Sequence, residues 1–490
     1  MAATAFDQTI DVFVQATLEI LGHETLARSW LLRDSAGRLT LVTETEIEAP
    51  RIDTLARRLS SEMLPYIRPQ QVVVFRSTPG IDTVFRGALV VSRPVQVVID
   101  GAAAIVLVRL IDRRIIGRDW QAEPAEGWQP PAAARLVFAS LKGGVGRSTA
   151  LAVLAADLAR DGKNVLVIDL DLEAPGIGTM LIGPATRPVY GVLDWMVETN
   201  LRDVDAEFLT QMIAPSDFSG GRGIIDVVPA VGTSSDRCPH NVLSKLARAY
   251  LEDVREGADA TFLDKVSRLI DALSGRRSYD AILVDARAGL HETTAASILG
   301  LGADVLFFGM DSPQTFESYR FLFSQMSDVL NAQDVAYSGV NDANITTDRS
   351  NVSPIDRTLM PGQMFVRRLR FVHAKSPKDE VARIRFRDKL HELFAEFLYR
   401  SASLEFETAS DNSADMIFYP EFGLDDETAP HYAWPIFGST LYADFDPFAV
   451  QNSDRDPGAL HQLDRDSYEE AFGEFLVNVR ERIRLPRTAL

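Results

Sequence analysis

Apolar residues recur at Phe6, Ile10, Phe13, Val14, Leu18 and Leu21, the spacing of one face of an amphipathic helix. The pattern then changes. Ser29–Arg33 and Leu39–Thr43 are apolar-rich runs flanking the polar, glycine-containing Asp34-Ser35-Ala36-Gly37-Arg38, which predicts a β-hairpin. Leu55, Leu59, Met63 and Leu64 fall on one side of a helix predicted over 53–66, and short strands are expected at Gln71–Phe75 and Ala104–Val108. Residues 1–122 therefore read as a small N-terminal α+β domain. The proline-rich stretch 123–132 reads as a linker.

Beyond it the apolar segments are more continuous. Leu136–Ala139, Val165–Ile168, Ala281–Val284 and Val305–Phe308 have the unbroken character of strands covered on both faces, and Ile224–Ala230 reads as another short strand. Helical stretches separate them, at 150–159, 241–274 and 313–330. Strand and helix return at Arg368–His373 and 378–400, and Met416–Tyr419 reads as one more strand and loop. Alternation of this kind predicts an α/β, doubly wound, mainly parallel sheet over 133–450. Residues 331–365 turn polar and irregular and read as an insertion. His373 and Lys375 read as an exposed pair after their strand. The last segment, 451–490, is expected to be helical: Phe472, Phe475, Leu476, Val479 and Ile483 form a stripe, and Arg480, Arg482, Arg484 and Arg487 a solvated basic end.

The candidate chemistry lies where the first of these strands meets its helix. Lys142-Gly143-Gly144-Val145-Gly146-Arg147-Ser148-Thr149 reads strand, glycine-rich loop, helix. Glycines let backbone N–H groups converge on an anion, and the helix N-terminus adds partial positive charge. Two further strands end in carboxylates. Asn164–Ile168 runs into Asp169 and Asp171, which the period of two places on the same side. Ala281–Val284 runs into Asp285, with Gly289 four residues on. Carboxylates at the ends of parallel strands beside a phosphate loop suit Mg²⁺ binding and positioning of a water. The simpler reading of Asp169 and Asp171 is that they cap a turn.

Composition narrows the function classes. With 490 residues the chain can make two or three domains. The net charge of −19 weighs against sequence-independent DNA binding, which needs a concentrated basic surface. The single cysteine, Cys238, excludes an intrachain disulfide and a four-cysteine cluster. No apolar run reaches the length of a transmembrane helix, and the first residues do not resemble a signal peptide, so the cytoplasm is the expected location and a membrane partner is not expected.

In order, the loop, the Asp-x-Asp strand and the Asp285–Gly289 strand resemble the deviant-Walker-A ATPases of the MinD/ParA type. The family loop has the form Lys-Gly-Gly-x-x-Lys-Ser/Thr, matched here except at Arg147. Phe418-Tyr419-Pro420-Glu421 is similar to the family's adenine-holding loop. The resemblance covers about 133–430 and implies a P-loop NTPase fold, ATP and Mg²⁺ as ligands, and a homodimer with nucleotide sandwiched between subunits. It implies that the backbone of Gly143, Gly144, Val145, Gly146, Arg147 and Ser148 cradles phosphate and that Thr149 touches the α-phosphate. Ser148, Asp169 and Asp285 would form the metal shell, Asp171 would orient the attacking water, and Lys142 would reach across to the partner's phosphates. Arg147 is expected still to hold the β- and γ-phosphates, at altered distance, so that binding survives better than hydrolysis. The resulting expectation is a slow ATP-hydrolysing switch whose N-terminal domain or 331–365 insertion recruits a partner protein. The alternatives are a non-catalytic ATP-stabilised scaffold and a DNA- or cargo-positioning ATPase.

Overall fold

The computed structural model describes residues 4–86, 88–99, 101–114, 117, 119–121, 133–251, 261–341, 361–399, 422–448 and 462–485. The chain divides into two compact units. The smaller is Met1–Ala122 with Asp328–Gly339, and the larger is Glu123–Ser327 with Val340–Leu490.

The smaller unit is built on a five-stranded sheet of order β3-β2-β1-β5-β4. Its strands are β1 (Ser29–Arg33), β2 (Leu39–Thr43), β3 (Val73–Phe75), β4 (Val90–Ile99) and β5 (Ala102–Asp112). β1 and β2 form the expected antiparallel hairpin, with Ser29 opposite Thr43. Its turn closes because Asp34 Oδ1 accepts the N–H groups of Ala36 and Arg38, both at 2.9 Å, while Gly37 takes φ +86°, a left-handed backbone that favours glycine. The helices Thr9–Leu21 and Ala49–Met63 bury Phe13, Val14, Leu55 and Leu59 in the core of this unit. Two elements differ from the sequence reading. The strand expected over 104–108 extends to Ala102–Asp112, and β4 was not foreseen. Pro94 argues against a strand interior, but β4 is an edge strand, where a missing N–H leaves no partner unsatisfied.

The larger unit carries an eight-stranded sheet of order β13-β12-β11-β6-β10-β7-β9-β8. These strands are β6 (Ala134–Ser140), β7 (Asn164–Asp169), β8 (Ala214–Pro215), β9 (Ile224–Val228), β10 (Ala281–Ala288), β11 (Asp304–Gly309), β12 (Leu369–Ser376) and β13 (Trp434–Phe437). Every pairing is parallel except β8 with β9. This is the α/β, doubly wound fold that the alternation of apolar runs predicts. The central strand β6 has β10 on one side and β11 on the other, so the loop that follows β6 opens at the carboxyl edge of the sheet, where such sheets bind ligands.

The helix after that loop, Arg147–Arg160, is buried almost throughout, from Thr149 to Ala159. Small residues dominate it, which lets it lie close against the sheet. The terminal helix Arg465–Arg482 packs into the same core through Phe472, Phe475, Leu476 and Val479. Its basic end is solvated only in part: Arg484 is exposed as expected and Arg487 lies outside the described residues, but two of its arginines are engaged. Arg480 is buried and ion-paired with Asp157, at 2.7 Å, and with Asp161, both from the loop helix. Arg482 pairs with Asp304 at 2.6 Å. Carboxylates from distant parts of the chain receive these charges, and spacing along one helix cannot reveal them.

The stretch 331–365 also differs. A single helix runs Pro313–Asn341, and Pro361–Val366 is helical. Asn331-Ala332-Gln333-Asp334 is polar, but polarity alone does not break a helix. Residues 342–360 lie outside the described residues, as do the linker 123–132 and the proposed adenine loop Phe418–Glu421. His373, read as exposed, lies inside β12 and is buried, stacked on Phe386 at 3.9 Å between ring centroids. Among the described residues no helix is long and apolar enough to cross a membrane.

Candidate functional site

The loop between β6 and its helix owes its shape to two glycines. Gly144 has φ +74° and Gly146 φ +84°, left-handed values that would strain any residue with a side chain. Val145 between them is buried and anchors the loop. A Cβ placed on Gly143, Gly144 or Gly146 would meet nothing within 4 Å. The loop therefore lies beneath open space at the N-terminus of a buried helix, as an anion cradle requires. Ser148 and Thr149 open the helix behind it. Lys142 is exposed at the mouth, its Nζ 2.8 Å from Gln314 Oε1.

Behind the loop lies a buried charge cluster. Arg147 donates from Nε to Asp285 Oδ1 at 2.6 Å and from Nη2 to Asp171 Oδ2 at 3.1 Å. Its Nη1 lies 3.4 Å from Ser140 Oγ. Ser148 Oγ donates to the other oxygen of Asp285 at 2.6 Å. The structure thus brings Arg147, Ser148, Asp171 and Asp285 together in one network. The guanidinium expected on phosphates has its donors directed to carboxylates instead. The physical reason is reach and shape: a planar fork at the first turn of the helix can bridge two carboxylates, which a single ammonium point charge does not.

Asp169 is arranged differently from Asp171. β7 ends at Asp169, so Asp171 lies in the following loop and strand alternation does not relate the two side chains. Asp169 Oδ1 accepts the Asp171 N–H at 3.0 Å and Oδ2 the Gly176 N–H at 3.3 Å. Asp169 therefore does cap a turn, the simpler of the two readings above, and it is fully buried. That turn holds Asp171 against Arg147.

Electrostatics follows from burial. Burial first, then the neighbouring Asp285, holds the Asp169 carboxyl well above the usual carboxylate range. Burial also pushes Asp285 up, against the opposing pull of Arg147 and the Ser148 hydroxyl. For Arg147, burial disfavours the charge, but Asp285 and Asp171 outweigh it and raise the guanidinium above its ordinary value.

One further cluster at this edge was not anticipated. Glu173 Oε1 accepts the Tyr250 hydroxyl at 3.2 Å and pairs with Arg287 at 2.5 Å, with His291 Nε2 at 3.6 Å. These residues come from three parts of the chain far apart in sequence: the loop after β7, the segment at Tyr250, and the end of β10 with the residues after it. Only Arg287, inside the Asp285–Gly289 stretch, carried any signal.

Among the described residues no group of three or more His, Cys, Asp or Glu side chains could enclose a metal ion. Mg²⁺ does not require one, because it keeps several waters and takes one or two carboxylates plus phosphate oxygens. Ser148 and Asp285 at the foot of an open cradle fit that requirement.

Residues 136–340 match the family model described as the CobQ/CobB/MinD/ParA nucleotide binding domain. The septum site-determining protein MinD of Helicobacter pylori is 31% identical over 164 residues, 34% of this chain and 48% of that protein. An iron-sulfur cluster carrier protein of Pseudomonas fragi is 40% identical over 89 residues, 17% of this chain and 31% of that one. The chain thus spans less than half the length of these curated relatives. Among solved structures, pNOB8 ParA bound to nonspecific DNA is similar with TM-score 0.36 and 15% identity, over 72% of this chain and 97% of that one. MinD of Pyrococcus horikoshii complexed with Mg-ADP is similar with TM-score 0.28 and 20% identity, over 39% of this chain and 63% of that one. The glycine cradle and the carboxylates Asp169, Asp171 and Asp285 all fall inside the segment 136–340 that is similar to the CobQ/CobB/MinD/ParA nucleotide binding domain.

Proposed function

We propose that this protein binds ATP with Mg²⁺ at the Lys142–Thr149 loop and works as a slow, dimeric nucleotide switch. The observation that carries this reading is the open cradle of Gly143–Gly146 with Ser148 and Asp285 joined beneath it. Backbone N–H groups from Gly143 to Ser148 would receive phosphate oxygens, and Thr149 would stand by the α-phosphate. Ser148 and Asp285 would hold the metal, which when bound neutralises phosphate charge and orients the terminal phosphoryl group. Asp169, engaged with backbone N–H groups, acts by shaping the turn that carries Asp171.

Asp171 orients the attacking water, and in this arrangement Arg147 competes for the same carboxylate. Hydrolysis then requires the Arg147–Asp171 contact to loosen, which is why turnover is slow. Lys142 is exposed at the mouth of the loop and can reach a second subunit's phosphates. The homodimer would be read by a partner protein through residues 1–122 or the 331–365 stretch.

A second reading has one observation in its favour. Arg147 ties up both Asp285 and Asp171, so the same geometry suits a scaffold that binds ATP and does not turn it over. Single-turnover measurement of phosphate release at high protein concentration decides between them. Release that is lost in Asp171→Ala supports the switch. Tight ATP binding without release supports the scaffold. Absence of ATP binding overturns both. In the same preparation Lys142→Ala should abolish ATP-dependent dimerisation, followed by light scattering, with only a modest loss of nucleotide affinity.

A further inference from the structure

We infer that the larger unit has a second anion site, at the opposite edge of its sheet from the glycine loop, that takes a small phosphate-bearing molecule. A cavity of about 330 Å³ there is lined by Arg367, Arg368, Arg370 and Arg482, with Phe422 and Met364 as its apolar wall. Its arginines come from two places. Three lead into or begin β12, and the fourth ends the terminal helix. β12 runs parallel to β11, and β11 to β6. The cavity is at the amino end of β12 and the glycine loop follows the carboxyl end of β6. Strands of this length separate the two by ~20 Å.

The charge balance is what asks for a ligand. In a chain of net charge −19, Arg367, Arg370 and Arg482 come together here, and among the described residues the carboxylates acting on Arg370 are those of Asp304 and Asp426. Asp304 is taken up by Arg482, which donates to it from Nε at 2.9 Å and Nη2 at 2.6 Å. Asp426 turns an oxygen to the Thr428 N–H and hydroxyl, at 2.8 and 2.7 Å. Arg370 is only 6% exposed, yet among the described residues no carboxylate lies within ion-pair distance of it. Its Nη1 donates to the carbonyls of Leu369 and Arg367, at 2.6 and 3.2 Å. Burial, and then the like charge of Arg482, lower its basicity to about 10. Among the described residues the buried Arg367 Nε has no hydrogen-bond partner. Buried guanidinium without its own counter-ion is costly, and a bound anion relieves that cost.

Phosphate is the anion that the geometry favours, because guanidinium forks pair with its oxygens two at a time. The volume sits at the small end of organic-ligand pockets. Phe422 and Met364 give a planar or apolar group somewhere to rest. The ligand is therefore a small organic phosphate, with inorganic pyrophosphate sharing its charged part.

The test uses the full chain saturated with Mg-ADP, so that the glycine loop is filled. Pyrophosphate and, separately, guanosine monophosphate are titrated by calorimetry. One saturable site per chain is expected for at least one probe. Tighter binding of the nucleotide marks the organic source, and binding of pyrophosphate alone marks the inorganic one. Arg370→Gln should weaken it at least tenfold. Thr428→Glu, an exposed substitution on the rim that adds negative charge, should do the same and stands alone if Arg370→Gln does not fold. Labelled ATP binding at the glycine loop should be unchanged in Thr428→Glu. No saturable binding of either probe, or equal affinity in wild type and Thr428→Glu, overturns the proposal. Neither outcome depends on whether the glycine loop hydrolyses ATP.

Discussion

Arg147 shows how one side chain changes the character of a phosphate loop. It is buried and bridges Asp285 and Asp171, and Ser148 closes the network from the other side. Removing one partner of a buried, hydrogen-bonded charge cluster leaves the others uncompensated, a loss of about 3–5 kcal/mol. Arg147→Ala should therefore lower the urea midpoint of the ligand-free protein by a corresponding amount, with an unchanged slope. If the midpoint does not move, the bridge contributes nothing. Arg147→Lys keeps the charge but cannot span both carboxylates. It should free Asp171 and raise the rate of phosphate release, read by single-turnover assay. A rate that stays the same or falls would show that the site depends on arginine.

At the scale of elements, the loop helix and the terminal helix form one unit of the core. Asp157 of the first accepts the Tyr468 hydroxyl at 2.9 Å and Arg480 at 2.7 Å from the second. Arg480→Ala would remove the buried guanidinium that pairs with Asp157 and Asp161, so a loss of about 3–5 kcal/mol is expected, read as a fall in thermal midpoint. Since that helix carries the phosphate loop at its other end, nucleotide affinity should fall with it. An Arg480→Ala protein that melts like wild type would show the helix end to be solvated after all. Close approach matters as well. A Cβ on Gly223 would stand 2.2 Å from the Lys163 carbonyl oxygen, so Gly223→Ala should shift β9 and destabilise the unit by more than an ordinary surface substitution.

For the molecule as a whole, pH sets a limit to stability through two buried histidines of the larger unit. His431 is fully buried and both ring nitrogens are matched: the Tyr399 hydroxyl lies 2.9 Å from Nδ1 and the Leu424 carbonyl 3.1 Å from Nε2. His373 lies against Phe386, with Ser376 Oγ 3.1 Å from Nδ1. Burial lowers each to about 4. The unfolded chain binds these protons near the ordinary value of about 6.5, and the folded chain holds them off until about pH 4. Their contribution is thus complete above pH 6.5 and is lost as pH falls towards 4. Denaturant unfolding at pH 7.5 and pH 5 should show lower stability at pH 5, and His431→Gln should reduce that difference. An unchanged pH dependence in His431→Gln would remove this histidine from the account.

The fold class was legible in residues 133–330 because buried strands need unbroken apolar runs and surface helices need a stripe. The candidate loop was legible for a similar local reason, since glycines, a lysine and hydroxyl residues must be adjacent to form a cradle. The β1–β2 hairpin likewise follows from its turn residues. Charges were not legible in this way. That Arg147 engages Asp285 and Asp171, that Arg480 is buried on Asp157 and Asp161, that Asp171 lies beyond its strand and that four arginines share one cavity are all facts of tertiary structure. Periodicity reports which face of an element is apolar, because that depends on neighbours in sequence. A charged side chain's role depends on which distant carboxylate, carbonyl or cavity the chain folding brings to it, and only the assembled sheet decides that.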